Sequence, residues 1–132
     1  MEDATLGGLA MAQGMTTHSH VCGLVSETTV EYEVVSADGT VVVATADNEH
    51  SKLFCVLPLS HGTLGFLVSL KLRVVKAKPW VAMKYTPCHS QEALFTRYTA
   101  VLDKALKEDK STPFFVEGIA FSKETAVLME GM

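Results

Sequence analysis

Residues 29–44 read TVEYEVVSADGTVVVA, and this stretch decides the fold. Thr29 to Val35 alternates apolar with polar side chains, Asp38-Gly39 supplies a turn, and Thr40 to Ala44 returns as a Val-rich run. Period-two alternation on both sides of an Asp-Gly pair predicts an antiparallel hairpin, with both turn residues able to take positive φ. Beyond it, Asp47 to Lys52 is polar and turn-like, and Leu53 to Leu57 predicts a helical turn that Pro58 ends. Ser60-His61-Gly62-Thr63-Leu64-Gly65 predicts a glycine-bearing turn leading into a strand over Phe66 to Val75, whose second half is half-exposed. Lys76-Ala77-Lys78-Pro79 marks a boundary. Past it the pattern predicts a strand over Trp80 to Tyr85 and a helix over Glu92 to Lys107 with Ser90 as its N-cap. Lys110 to Pro113 breaks the helix, and Phe114 to Phe121 and Thr125 to Met129 predict two further strands. Upstream of the hairpin, Thr5 to Gly23 is rich in Gly, Thr, Met and His and predicts one short helix, Leu9 to Gln13, between glycine turns. The whole predicts an α+β chain.

The chain has 132 residues, 48% hydrophobic and 20% charged, with a formal net charge of −4. Chains of this length bury roughly two-thirds of their unfolded surface, so a folded core is expected. Pro and Gly are ordinary in number and no repeat is present, which excludes collagenous, solenoid and disordered classes. The mild acidity lacks the electrostatic footprint of a nucleic-acid binder. Cys22, Cys55 and Cys88 form an odd, widely spaced set without a CxxC pair, which predicts reduced core thiols. Met1-Glu2-Asp3-Ala4 is acidic where a targeting peptide is basic. The apolar run from Phe54 to Leu70 is interrupted by Pro58, Ser60, His61, Gly62 and Gly65, so a soluble chain without a membrane-spanning helix is expected.

Two glycine-bearing loops are the candidates for chemistry: Thr5-Leu6-Gly7-Gly8 with Gly14, and Ser60 to Gly65. Residues without Cβ let backbone N–H groups approach anionic oxygens or a flat cofactor, and neighbouring hydroxyls add donors. The same glycines also suit plain turns, and the spacing matches neither a Walker loop nor a GxGxxG fingerprint. His18 and His20 place two imidazoles on one strand face, but no third ligand stands at zinc spacing, so no metal is expected. No GxSxG is present, and no catalytic residue is assigned. Leu94, Phe95, Tyr98, Val101, Leu102, Ala105 and Leu106 form a helical stripe expected to be core. Glu117, in FFVEGIAF, either faces outward in an alternating run or is buried with a partner.

Four blocks, DATLGGLAMAQGMTTHSHVCGL, VEYEVVSADGTVV, PLSHGTLGFLVSLKLRVVKAKP and FFVEGIAFSKETAVLMEGM, resemble the FAD-dependent oxidoreductases of the p-cresol methylhydroxylase and vanillyl-alcohol oxidase superfamily. Within it the chain is similar to the Δ24-sterol reductases. The resemblance implies a fragment: residues 1–79 as the second subdomain of the FAD-binding PCMH-type domain, and 80–132 as the β-α-β-β start of a substrate cap. It implies that Thr5, Leu6, Gly7, Gly8, Gly14, Thr16 and Thr17 contact FAD from one side, and Gly62, Thr63, Gly65 and Phe66 from the other. The implied reaction is reduction of the C24–C25 double bond of a sterol, with NADPH as electron donor. It further implies a parent enzyme at the endoplasmic reticulum membrane, facing the cytoplasm and anchored by a segment outside this chain, and a fragment inactive by itself. Thr16, Cys22, Lys52 and Leu59 depart from the sterol subgroup's usual Glu, Tyr, Asp and Trp. The alternatives are a PCMH-type flavin oxidase or dehydrogenase for a sugar lactone or 2-hydroxy acid, and a non-catalytic remnant.

Overall fold

The computed structural model describes residues 3–132; Met1 and Glu2, the start of the acidic N-terminus, lie outside the described residues. The chain divides into two compact units, Met1–Lys76 and Ala77–Met132.

The first unit is built on the hairpin. Strand β1 (Thr29–Val35) pairs antiparallel with β2 (Val41–Thr45) and with β3 (Phe66–Leu72), giving the order β2-β1-β3. As the central strand, β1 buries Tyr32 and Val34 while Glu31 and Glu33 point away, where Lys71 Nζ donates to Glu31 at 3.0 Å and Ser69 Oγ to Glu33 at 2.7 Å. Such exposed cross-strand pairs set register and add about 0.2–1 kcal/mol each. Strict alternation fails at one point. Thr29 and Tyr32 are both buried although three residues apart, because the β1–β3 register shifts between Thr29 and Glu31, and the irregularity at Val30 changes the phase of the strand.

The hairpin turn also differs from expectation. Gly39 has φ +85°, but Asp38 does not share a positive φ. Gly39 N–H donates to the Ser36 carbonyl and Ser36 N–H to the Thr40 carbonyl, so the turn is a longer loop closed by a left-handed glycine. Asp38 serves as an acceptor, taking the Ser36 hydroxyl at 2.9 Å and the Thr40 N–H at 3.0 Å. These bonds, the Thr40 N–H first, hold its carboxyl below the usual carboxylate range.

Helices α1 (Leu6–Met11), α2 (Ser19–Cys22), α3 (Val25–Thr28) and α4 (Ser51–Val56) complete this unit. Ala10, Val25 and Leu57 join Tyr32 and Val34 in its core, and Phe54 packs on Tyr32 with ring centroids 5.3 Å apart. Asn48 organises the entry to α4, donating to the Val43 carbonyl at 2.7 Å and accepting the His50 N–H at 3.0 Å. Because α4 turns Phe54 toward the core, Cys55 is exposed, and only Cys88 is the buried thiol that was expected of all three.

In the second unit, β4 (Met83–Cys88), α5 (Gln91–Leu106), β5 (Phe115–Ala120) and β6 (Ala126–Gly131) form a β-α-β-β arrangement with sheet order β4-β6-β5. The strand expected over Trp80 to Tyr85 begins later. Met83 pairs with Gly131 at the end of β6, Ala82 and Met132 exchange one further pair of hydrogen bonds, and Trp80 beyond them is 85% exposed. Pro87 is accommodated because β4 is an edge strand and needs no outward donor. Ser90 Oγ accepts the Ala93 N–H at 3.1 Å, the N-cap read from the sequence. Ser90→Ala is expected to cost about 1 kcal/mol, read as a drop in helical ellipticity and in the melting temperature of this unit.

The helical stripe is core only in part. Val101 is buried with Val116 and Leu128, and Leu94 and Tyr98 pack against them. Phe95 and Leu106 are 72% and 83% exposed, because a three-stranded sheet contacts one narrow face of the helix. Glu117 is half-buried, whereas Val116 is buried and a Cβ at Gly118 would meet Tyr98 at 3.3 Å, so Glu117 stands on the face away from α5. No helix of the described residues is long and apolar enough to cross a membrane.

Candidate functional site

Gly7 and Gly8 of the first glycine loop meet Gly62 and Gly65 of the second, more than fifty residues on in sequence, in the first unit. They line a cleft of about 410 Å³, within the range of roughly 300–1,000 Å³ usual for small-molecule sites. One wall is the inner side of α1, with Gly7, Gly8, Met11 and Ala12; the other runs through His61, Gly62, Gly65, Phe66 and Leu67.

Local structure explains each wall. Thr5 is the N-cap of α1, and its Oγ1 accepts the Gly8 N–H at 3.1 Å. That bond starts the helix three residues earlier than the sequence suggested and ties up the Gly8 donor. On the opposite wall, Leu59, His61 and Gly62 all have positive φ, at 67°, 49° and 82°. This left-handed run is fastened to α1 by the His61 N–H, which donates to the Met11 carbonyl at 3.2 Å. Thr63 Oγ1 closes the turn from inside by donating to the Ser60 carbonyl at 2.7 Å. Gly65 has φ +151°, and a Cβ there would run into Val34 Cγ1 and stand 3.0 Å from the Val35 carbonyl oxygen. Only glycine lets the loop lie this close to β1.

Among the residues named from the sequence, the cleft brings together Gly7, Gly8, Gly62, Gly65 and Phe66. Thr5, Leu6 and Thr63 flank it without lining it. Gly14, Thr16 and Thr17 stand in the connection after α1, and their contacts are structural. A Cβ on Gly14 would sit 2.5 Å from Leu9 Cδ2, so this glycine permits the chain to fold back on α1. Thr16 N–H donates to Ser19 Oγ at 2.8 Å, and Thr17 Oγ1 lies 3.3 Å from His18 Nδ1. Burial, then the charge of His20, pushes the His18 imidazole below its ordinary pKa. His18 and His20 flank Ser19 at a helical turn rather than on a strand, so their side chains diverge. Among the described residues no group of three or more His, Cys, Asp and Glu gathers as a metal site.

Met11, Ala12, His61 and Leu67 line the cleft unannounced by any motif. The apolar three are ordinary core-type residues, and His61 stands within the second loop already read as glycine-bearing. A second cavity of about 610 Å³, bordered by Glu27, Asp47, Phe54, Cys55, Leu59 and Arg73, contains none of the expected cofactor contacts. Arg73 is held there by its side chain on the Glu27 carbonyl at 2.6 Å.

This α+β arrangement defines the class of the chain. Its fold is similar to that of BBE-like #28 from Arabidopsis thaliana, with a TM-score of 0.60 and 17% identity over 96% of this chain and 26% of that one. No family model matches the sequence. Along its length the chain is similar to the Delta(24)-sterol reductases: 37% identical to that of Homo sapiens over 100% of the chain, and 36% to those of Arabidopsis thaliana and Pisum sativum over 99%. It spans 24% of the length of each of these relatives.

Proposed function

We propose that the chain is a cofactor-binding segment of an FAD-dependent Δ24-sterol reductase. The observation that carries this is the cleft uniting Gly7 and Gly8 with Gly62, Gly65 and Phe66, set in a chain similar throughout to Delta(24)-sterol reductases. The residues fit such a group. A Cβ at Gly62 would meet nothing within 4 Å and one at Gly7 only Leu67 Cδ2 at 3.9 Å, so backbone is bare on both walls. Met11, Phe66 and Leu67 supply an apolar surface for the edge of a flat ring.

Bound FAD would supply the hydride that adds to one carbon of the C24–C25 double bond, a proton adding to the other, with NADPH as the electron source. The part of this chain is to position and to exclude water. The glycine walls admit the ring closely, Phe66 and Leu67 keep one side dry, and the His61–Met11 hydrogen bond fixes the width between walls. In this reading 1–79 belongs to the FAD domain and 80–132 opens the substrate cap. The sterol, the reticulum membrane and the anchoring segment are properties of the longer enzyme.

The test has two arms. The purified chain alone is expected to carry no flavin absorbance, since the remaining cofactor contacts lie elsewhere in the enzyme; stoichiometric flavin would overturn that part. A longer chain carrying both flanks is expected to bind flavin and to convert desmosterol in the presence of NADPH. Bound flavin without turnover would favour an oxidase of a sugar lactone or 2-hydroxy acid.

A further inference from the structure

The solvent side of α5 carries an apolar stripe that the sheet does not cover. Phe95, Thr99, Leu102 and Leu106 are all exposed and follow one another at spacings of four, three and four residues. At 100° per residue they fall within a stripe roughly 60° wide, the a/d seam along which two helices pack. Val101, Leu94 and Tyr98 point to the sheet from a different side of the helix, so the stripe is not needed for the core. With 16 residues and a Ser90 N-cap, α5 presents the seam on a rigid element.

The outer border of the seam decides what fits it. Glu92, Thr96, Asp103 and Lys107 lie along the side away from the core, and all four are exposed. Among the described residues, Glu92, Asp103 and Lys107 form no ion pair within the chain. Consider a second α5 laid antiparallel on the first, about a two-fold axis between Thr99 and Leu102. Phe95 then meets Leu106 of the second copy and Thr99 meets its Leu102. Along the border Glu92 comes opposite Lys107 and Thr96 opposite Asp103, each pair formed twice by symmetry. A parallel pair does the reverse: glutamate meets glutamate, aspartate meets aspartate, lysine meets lysine, and the helix dipoles oppose the pairing. The open face of the sheet is less suited to a second copy, because Glu117 would be buried there without a partner.

We propose that the chain pairs with a second copy of itself through α5, antiparallel, along the seam from Phe95 to Leu106. The pairing does not depend on the flavin reading. Three large apolar side chains from each copy make an interface smaller than the roughly 1,600 Å² usual for stable complexes. Association is therefore weak and concentration-dependent, with a dissociation constant on the order of 0.1 mM.

The experiment is analytical ultracentrifugation of the whole chain from about 10 µM to about 1 mM, a range that brackets this affinity. A reductant keeps the exposed Cys55 from linking two copies. A shift from monomer to dimer across the range is expected. Leu106→Glu, at a position 83% exposed, is expected to leave the melting temperature of the dilute chain unchanged and to weaken pairing at least about 10-fold. Phe95→Gln repeats the test at the other end of the seam. Glu92→Lys and Lys107→Glu are each expected to weaken pairing about 5-fold, and the two together to restore it to within about 2-fold of the parent. Helical ellipticity of each variant at low concentration reports that α5 is intact. A chain that stays monomeric throughout would overturn the proposal, as would a dimer that neither Leu106→Glu nor Phe95→Gln weakens. A dimer that both weaken, without recovery in the double charge exchange, would overturn the antiparallel arrangement.

Discussion

Gly65→Val is expected to unfold the first unit while leaving the second folded. The new Cβ would collide with Val34, which is fully buried in β1, and with the Val35 carbonyl, at a φ of +151° that a β-branched residue does not adopt. Neither neighbour is the free end of a flexible side chain, so relief requires moving the loop, the strand or both. The cost is expected to be about 3–5 kcal/mol, at the high end for single substitutions, which for a unit this small is a fall in melting temperature of at least about 15 °C. Hydrogen exchange locates the effect: amides of β1 lose protection and amides of β6 keep theirs. The cleft should vanish with it, because the same loop carries His61 and Gly62. A variant that melts like the parent would show that the loop has another conformation available.

Leu128→Ala is the complementary expectation. Leu128 is 1% exposed at the centre of β6 and clusters with the buried Val101 and Val116. Truncating a fully buried leucine costs about 2–5 kcal/mol, from the lost transfer of its methyl groups and the cavity left behind. In a unit with so few buried apolar side chains this approaches the whole of its stability. Protection is expected to disappear from β4, β5 and β6 and to persist in β1, the reverse of the Gly65→Val pattern. Loss of protection in both sheets would mean that the units unfold as one.

The elements easiest to read were those set by neighbours in sequence. Ser90 followed by Gln91 and Glu92 announces α5, since an N-cap bond spans three residues and needs no distant partner. The paired strands around Ser36 to Thr40 follow from alternation in the same way. Errors fall where partners are remote. The irregularity at Val30 exists because β3 must pair with β1 while Thr29 and Tyr32 both reach the core, and nothing near Val30 signals it. Phe95 and Leu106 read as core because helical period alone cannot tell how wide a neighbouring sheet will be.

The site divides along the same line. Sequence by itself determined the glycine loops, the capped helix, the α+β class and the resemblance in four ordered blocks, because each is carried by contiguous residues. Only the tertiary structure decided that Gly7 and Gly8 face Gly62 and Gly65, that Gly14 is a packing glycine, and that His61 stands at the rim. The physical reason is the long loop closure between the two segments. It is compensated by burying Tyr32, Val34, Ala10 and Leu57 together, and a side chain's place in a cleft is set by that shared core rather than by its own neighbours in the chain.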